Sequence, residues 1–276
     1  MPDNLFACPF SMRAYYSPFL PKGVWLYATL IACLLSRTAC CQFREQVDAY
    51  YDHIKPLLRL HQPIQTLTAK LDSLTTTLRF SRSEVSPLFD RDIDFGMLHR
   101  RTIIHTNTIT FQLDAVAENG RVIALTAALA NVSGDSIRRK DILLQSCDTS
   151  AILQFLASRN LFYQSNKSLS DFFTEIQANE QFAFYCGDAS PKTKKGAYIE
   201  NLAQHNRIST LADMLASIHC ETQAYAVAGF DMVKSKYKIT PQQRLLVKFI
   251  KHRDSVVVTC EGCLSGLKRN LYSKDH

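Results

Sequence analysis

The 276-residue sequence contains no G-x-S-x-G elbow, phosphate-binding loop, H-E-x-x-H pair, EF-hand loop or G-x-G-x-x-G turn. It also lacks compositional extremes. With 46% hydrophobic and 21% charged residues it reads as a folded soluble chain, which excludes disordered and collagen-like classes. The length suits one large domain or two small ones. A net charge of +7 is not gathered into a stripe. Lys192, Lys194 and Lys195 form one small cluster and Lys268 with Arg269 another, neither interleaved with aromatics as a stacking platform would be. The charge reads as a solvated basic surface, and no nucleic-acid partner is expected.

What is present starts at the N-terminus. Gly23 to Leu35 form 13 apolar residues without a charge, preceded by Arg13 and Lys22 and followed by Arg37-Thr-Ala-Cys40-Cys41. A positive flank, a short apolar run and small residues after it make the layout of a secretory signal. The run would span roughly 20 Å, short of the ~30 Å hydrocarbon core, which disfavours a stable transmembrane helix. Residues 1–41 are therefore expected to be an export signal, and the protein to be periplasmic, membrane-anchored or extracellular. Thr38-Ala39-Cys40 resembles the end of a bacterial lipoprotein signal, with Arg37 where that motif has an aliphatic residue. Cys40 is thus a lipid-anchor candidate, and ordinary cleavage near Cys41 or Gln42 is the alternative. Removal of residues 1–41 takes away Arg13, Lys22 and Arg37 against Asp3, lowering the net charge from +7 to +5.

Five of the nine cysteines lie beyond this segment: Cys147, Cys186, Cys220, Cys260 and Cys263. In an oxidising compartment such residues pair, and five leaves one over. Cys260-Glu-Gly-Cys263 forms a CxxC after the strand-like Val256–Thr259. Zinc would need two further ligands at workable spacing, and Leu264 stands where a c-type haem site has histidine. A structural disulfide involving Cys260 and Cys263 is expected, with Cys186 and Cys220 as a second pair. The alternative is a redox dithiol with Cys260 as nucleophile and Cys263 as resolving thiol.

Along the chain, Leu57, Leu60, Ile64, Leu67, Leu71, Leu74 and Leu78 follow a 3–4 spacing, interrupted by Pro56 and Pro63. This predicts two helices, Arg44 to Leu60 and Pro63 to Phe80, with Ser81 to Gly96 as a loop. Thr108 to Asp114 alternates polar and apolar residues, and Asn119-Gly120 separates it from the apolar Arg121–Ala130, a hairpin signal. The alanines of the second arm would also suit a helix. The remainder predicts helices at 148–158, 169–178, 192–205, 208–218, 221–237 and 241–252, with Asp148 or Thr149, Ser168 or Ser170, and Thr240-Pro241 as starts. Their small and medium residues Leu211, Leu215, Ala224, Ala226, Ala228 and Leu245 resemble one or two degenerate HEAT-type units over about 60 residues. The expected architecture is α+β and mainly α: an N-terminal helical pair, a central β-hairpin and a C-terminal layer of short antiparallel helices. Domains are drawn at 1–41, 42–140 and 141–276.

Other candidates are weaker. Asp90, Asp92 and Asp94 have the spacing that begins a calcium loop, but Phe95 and Arg101 occupy its glycine and glutamate places. His219-Cys220-Glu221 gathers three ligand types whose side chains are expected to diverge. The aromatics Phe182, Phe184, Tyr185, Tyr198, Tyr225, Phe230 and Tyr237 read as core before they read as a binding groove. No metal or cofactor is expected. The sequence supports a non-enzymatic protein-binding or structural module of the cell envelope with a protein partner and membrane attachment through the signal or lipid; the second reading is a thiol-disulfide oxidoreductase using Cys260 and Cys263.

Overall fold

The computed structural model describes residues 45, 47–77, 84–106, 109–133, 136–234, 237–253 and 255–272. Residues 1–41, expected to be an export signal, and with them Cys40, lie outside the described residues. The chain divides into two compact units, Met1–Leu57 and Leu58–His276. In the first, residues 47–54 form helix α1, which runs into a 3-10 turn at Lys55–Leu57.

The expected helical pair and lone hairpin are not the architecture. The two N-terminal helices fall in different units, and the centre of the second unit is a five-stranded antiparallel sheet that precedes the helices. After α2 (Ile64–Thr77), β1 (Glu84–Asp92), β2 (Met97–His105), β3 (Thr110–Glu118), β4 (Arg121–Ser133) and β5 (Ser136–Cys147) form a meander in sequence order. The β3–β4 hairpin is the one expected. Asn119 (φ 49°) and Gly120 (φ 76°) both adopt the positive φ of a type I′ turn, whose twist matches the flanking strands. Val122 donates to Gln62 O at 3.0 Å and Ile64 to Gly120 O at 2.9 Å, so the segment entering α2 is laid along this turn.

The segment expected to be a loop, 81–96, contains β1, and β5 was not expected at all. Both are edge strands. β1 carries Pro87 and a register shift between Pro87 and Phe89, and β5 carries Arg138, Arg139 and Lys140, devices that blunt an exposed edge and erase the apolar alternation. Strands β3 and β4 are buried on both sides, which explains why Ala124, Ala127, Ala128 and Ala130 are accommodated in a strand: two-sided burial leaves little room for larger groups.

The helices are α3 (Thr149–Tyr163), α4 (Leu169–Ile176), α5 (Lys194–Gln204), α6 (Ile208–Leu215), α7 (Cys220–Val233) and α8 (Pro241–His252). Asp148 accepts from Ala151 N as N-cap of α3, while Ser168 with Asp171 and Thr240 with Gln243 form capping boxes, Pro241 standing in the first turn of α8. The layer is arranged around α7, which packs against α5, α6, α8 and β6, rather than as stacked HEAT-type pairs. One core joins β-sheet residues Ile93, Met97, Val116 and Ala124 to Ile152, Phe155, Phe172 and Ala224 of the helices; a second lies within the layer around Leu211, Tyr225, Val227 and Phe230. The chain ends in a hairpin of β6 (Val257–Glu261) and β7 (Leu264–Arg269).

Candidate functional site

The turn between β1 and β2 places Asp94 (φ 120°), Phe95 (φ 52°) and Gly96 (φ 76°) in succession at positive φ. For Asp and Phe this costs of order 1–3 kcal/mol each and persists only where the surroundings hold it. The holding contacts are specific: Met97 N donates to Asp94 O at 2.9 Å, and Asp94 N donates to Asp92 Oδ1 at 2.6 Å. The turn sends neighbouring side chains in opposite directions. Asp94 is wholly buried, whereas Phe95 remains 48% exposed.

Inside, Asp94 Oδ2 accepts from Arg159 Nε of α3 at 2.7 Å, and Oδ1 accepts from Tyr163 Oη at 3.1 Å and from Arg253 Nη1 beyond α8. Arg159 is itself fully buried and donates its remaining nitrogens to Ala216 O at 2.6 Å and Ser217 O at 2.5 Å. Arg253 Nη2 donates to Gln223 Oε1 at 2.6 Å. Burial, then the Asp94 carboxylate, pushes the Tyr163 phenol upward, so it acts as a neutral donor. One carboxylate thus ties the β1–β2 turn to α3, α7 and the chain after α8.

Outside, the Phe95 ring meets Phe162 at 5.6 Å and Phe249 at 6.3 Å, and Phe162 meets Phe249 at 4.8 Å. Leu161 is 83% exposed beside Phe162, and Leu245 is 51% exposed one turn before Phe249 on α8. Next to this cluster a groove of about 790 Å³ lies between the end of α3, α6 and the start of α8, lined by Tyr163, Lys167, Asp213, Ala216, Gln243 and Leu246 among others. Its size falls in the ordinary range for ligand sites. Gln242 Nε2 donates to Phe162 O at 3.0 Å, joining groove and cluster.

A second buried charge system stands where the sheet meets α7. Arg91 Nη1 reaches Glu221 Oε1 at 2.7 Å and Oε2 at 2.8 Å, and Val258 N donates to Oε1 at 2.8 Å. Burial would raise the Glu221 carboxyl, but Arg91, His219 and these hydrogen bonds hold it down at about 2. Arg101 Nε donates to Asp114 Oδ1 at 2.6 Å, and His99 Nε2 lies 2.9 Å from the same oxygen. Burial lowers His99 to about 4 against the opposing pull of Asp114, so the imidazole is neutral. The polar positions of the β3 alternation, Gln112 and Asp114, therefore face this system rather than solvent.

The cysteine arrangement differs from the expected pairs. Cys186 is bonded to Cys260, with Cα atoms 5.5 Å apart, while Cys220 and Cys263 are free thiols. The structure thus takes one member from each anticipated pair, because the loop carrying Cys186 runs beside β6: Phe182 N donates to Val258 O at 2.8 Å and Gly187 N to Gly262 O at 2.7 Å. Gly196 permits this loop to sit on α5, since a Cβ there would come within 2.8 Å of Phe184 Cα. Both bonded cysteines line a cavity of about 230 Å³ with Thr193, Lys195, Glu180 and Tyr225. Cys263 is exposed, and its Sγ donates to Asp188 Oδ1 at 2.8 Å; that hydrogen bond raises the thiol's pKa. Cys220 is buried, with Ser255 Oγ at 3.3 Å.

The remaining candidates separate. Asp90 pairs with Arg100, Asp92 caps the strained turn and Asp94 enters the core, so the acidic triplet does not converge. Among the described residues no three His, Cys, Asp or Glu side chains form a metal-holding group. His219 and Glu221 do meet, at 3.0 Å, contrary to expectation; His219 is the extended N-cap of α7 (ψ 116°), which turns its ring back over the first helical turn. Phe182, Phe184 and Tyr225 stack together beside the disulfide, and Phe230 is core, while Tyr185 and Tyr198 are exposed. Sequence reasoning missed Phe162, Leu161 and Arg159; Asp94 and Phe95 enter it only as parts of a calcium-loop fragment. Compared with protein-family models, curated proteins and solved structures, the chain matches none.

Proposed function

We propose that this chain is an exported, non-enzymatic protein of the cell envelope whose α3–α8 face binds another protein. The observation that carries the reading is the strained Asp94–Phe95–Gly96 turn. Its conformational cost is met by two buried arginines, and its outcome is the exposed Phe95 ring held against the half-buried Phe162 and Phe249. Rigid aromatics over a packed base, bordered by a polar groove, are the composition of interface anchors. Export is supported by the apolar run at Gly23–Leu35 and by the Cys186–Cys260 disulfide, a linkage that persists in oxidising compartments. The alternative of a Cys260/Cys263 dithiol enzyme is less well supported, because Cys260 is bonded elsewhere and Asp188 keeps the proton on Cys263.

The test is photo-cross-linking in the producing cells. A photoreactive side chain at Leu161 should give an adduct of discrete mass in the envelope fraction, and one at Glu118 on the β3–β4 turn should give none. No adduct at Leu161, or a cytosolic product still carrying residues 1–41, would sink the proposal.

A further inference from the structure

Two segments carrying three cysteines meet at one backbone group. The carbonyl oxygen of Gly262 accepts from Gly187 N at 2.7 Å, next to Cys186, and lies 3.6 Å from Cys260 Sγ. That same carbonyl belongs to the peptide bond leading into Cys263. The sulfur of Cys260 thus lies beside the peptide group that leads into Cys263, with only Glu261 and Gly262 between the two residues. Glu261 and Leu264 pair across the turn, and Gly262 takes positive φ (57°), which folds the intervening chain back. From the other side, the Cys263 thiol rests on Asp188, two residues beyond Cys186. The free thiol thus contacts the segment of one bonded cysteine and is three residues from the other.

We propose that Cys186, Cys260 and Cys263 form a thiol-disulfide exchange site that moves the bridge between two positions. The Cys263 thiolate attacks Cys260 Sγ, an S–S bond forms between Cys260 and Cys263, and the Cys186–Cys260 bond breaks. Cys186 leaves as a thiolate and takes a proton from water, replacing the one Cys263 released. Two electrons stay in one disulfide throughout, so no external oxidant or reductant takes part. The departing Cys186 sulfur belongs to the wall of the 230 Å³ cavity, where Lys195 and Thr193 also stand, so the exchange delivers a thiol to a site that was closed as a disulfide.

The charged groups around the cluster govern how readily the exchange starts. Asp188 holds the Cys263 proton from the loop side; on the hairpin Glu261 is paired with Arg269 at 2.9 Å, and on the cavity wall Lys195 is paired with Glu180 at 3.0 Å. Asp188 accepts the hydrogen bond of the attacking thiol, and a protonated thiol does not attack. The bridge in the structure is Cys186–Cys260, and Asp188 is a positioning residue that slows exchange by keeping the proton on Cys263.

The test uses the full exported chain, oxidised and free of added reductant. After incubation at pH 8 it is quenched in acid, unfolded, labelled with N-ethylmaleimide and digested with pepsin. Label on Cys263 reports the Cys186–Cys260 form, and label on Cys186 together with a Cys260–Cys263 link reports the exchanged form. The expected result is at least about a tenth of the molecules carrying label on Cys186, unchanged over a tenfold range of protein concentration and abolished by Cys263→Ser. Asp188→Asn should speed its appearance at least about twofold, because without the neighbouring negative charge the thiol ionises more readily. Label on Cys186 in fewer than about one molecule in a hundred, with the Cys186–Cys260 bridge intact in both the parent and Asp188→Asn chains, would overturn the proposal. So would a concentration-dependent yield, which marks exchange between molecules. The outcome does not depend on whether the α3–α8 face binds a partner.

Discussion

Two anchors hold the second unit together, and they are built from opposite chemistry. The knot around Asp94 joins residues 65 and 159 positions apart in sequence by charge and hydrogen bonds alone, around a carboxylate that is wholly buried. The brace at Cys186–Cys260 joins residues 74 apart by one covalent bond at the edge of a cavity. The knot is all-or-none, since removal of one member leaves the others as unpaired charges in a dry interior. The brace is graded. Hydrogen bonds from Phe182 N to Val258 O and from Gly187 N to Gly262 O hold the same two segments together without it. The first anchor is insensitive to redox conditions, and the second is governed by them.

Substitution of the shared carboxylate is the largest single-site effect this contrast implies. Asp94→Ala strands two buried guanidinium groups at once and removes the acceptor of Tyr163. Breaking a buried pair this way costs roughly 3–5 kcal/mol, and two arginines share this partner, so we expect a loss of about 5 kcal/mol, comparable with the whole stability of many domains. The chain should fail to fold cooperatively in urea, with or without reductant. Asp94→Asn, which keeps an acceptor but no charge, should fold with a lowered midpoint. A well-folded Asp94→Ala chain within about 1 kcal/mol of the parent would break the contrast.

Cutting the brace should cost less and leave the fold intact. In the chain-entropy account a crosslink closing a loop of this size stabilises by about 4 kcal/mol. Cys186→Ser with Cys260→Ser, or reduction of the parent, should lower the urea midpoint by a matching amount at neutral pH while the circular dichroism spectrum is retained. Adding reductant to the double variant should change nothing further. A second drop on reduction would mean that another disulfide contributes.

The contrast also explains what could be read from the sequence. Local instructions were legible: Asn119-Gly120 marked its turn, and Asp148, Ser168 and Thr240-Pro241 marked their helices, because each acts on groups within a few residues. Strands β1 and β5 were not, since edge strands are written with Pro87 and with Arg138, Arg139 and Lys140 to discourage pairing, which is also how loops are written. In β2 the run His99-Arg100-Arg101 hides a strand whose polar side chains His99 and Arg101 are buried against Asp114. Nothing local distinguishes a buried arginine from an exposed one. The knot and the Cys186–Cys260 pairing both depend on residues brought together only by the finished fold, so the site could be seen in fragments, as a row of aspartates and a CxxC, and not as a whole.

A smaller effect comes from the second buried charge system, around Glu221 and Asp114, and separates buried charge from the covalent brace by pH. His99 is neutral in the folded chain because burial lowers it from 6.5 to about 4, and His219 is lowered in the same direction by the same cause. Between those values the unfolded chain binds a proton that the folded chain refuses, so stability is full above pH 6.5 and is lost as pH falls toward 4. Glu221, held at about 2 against an ordinary 4.5, extends the loss to lower pH. His99 alone should account for about 2 kcal/mol between pH 7 and pH 4.5. His99→Gln keeps a donor for Asp114 Oδ1 but cannot take up the proton, so its urea midpoints at the two pH values should differ by that much less than the parent's. The disulfide does not titrate, so the serine double variant should keep the parent's full acid sensitivity. If the double variant lost that sensitivity, the charged interior and the covalent brace would be one coupled anchor, and the division between them would have to be abandoned.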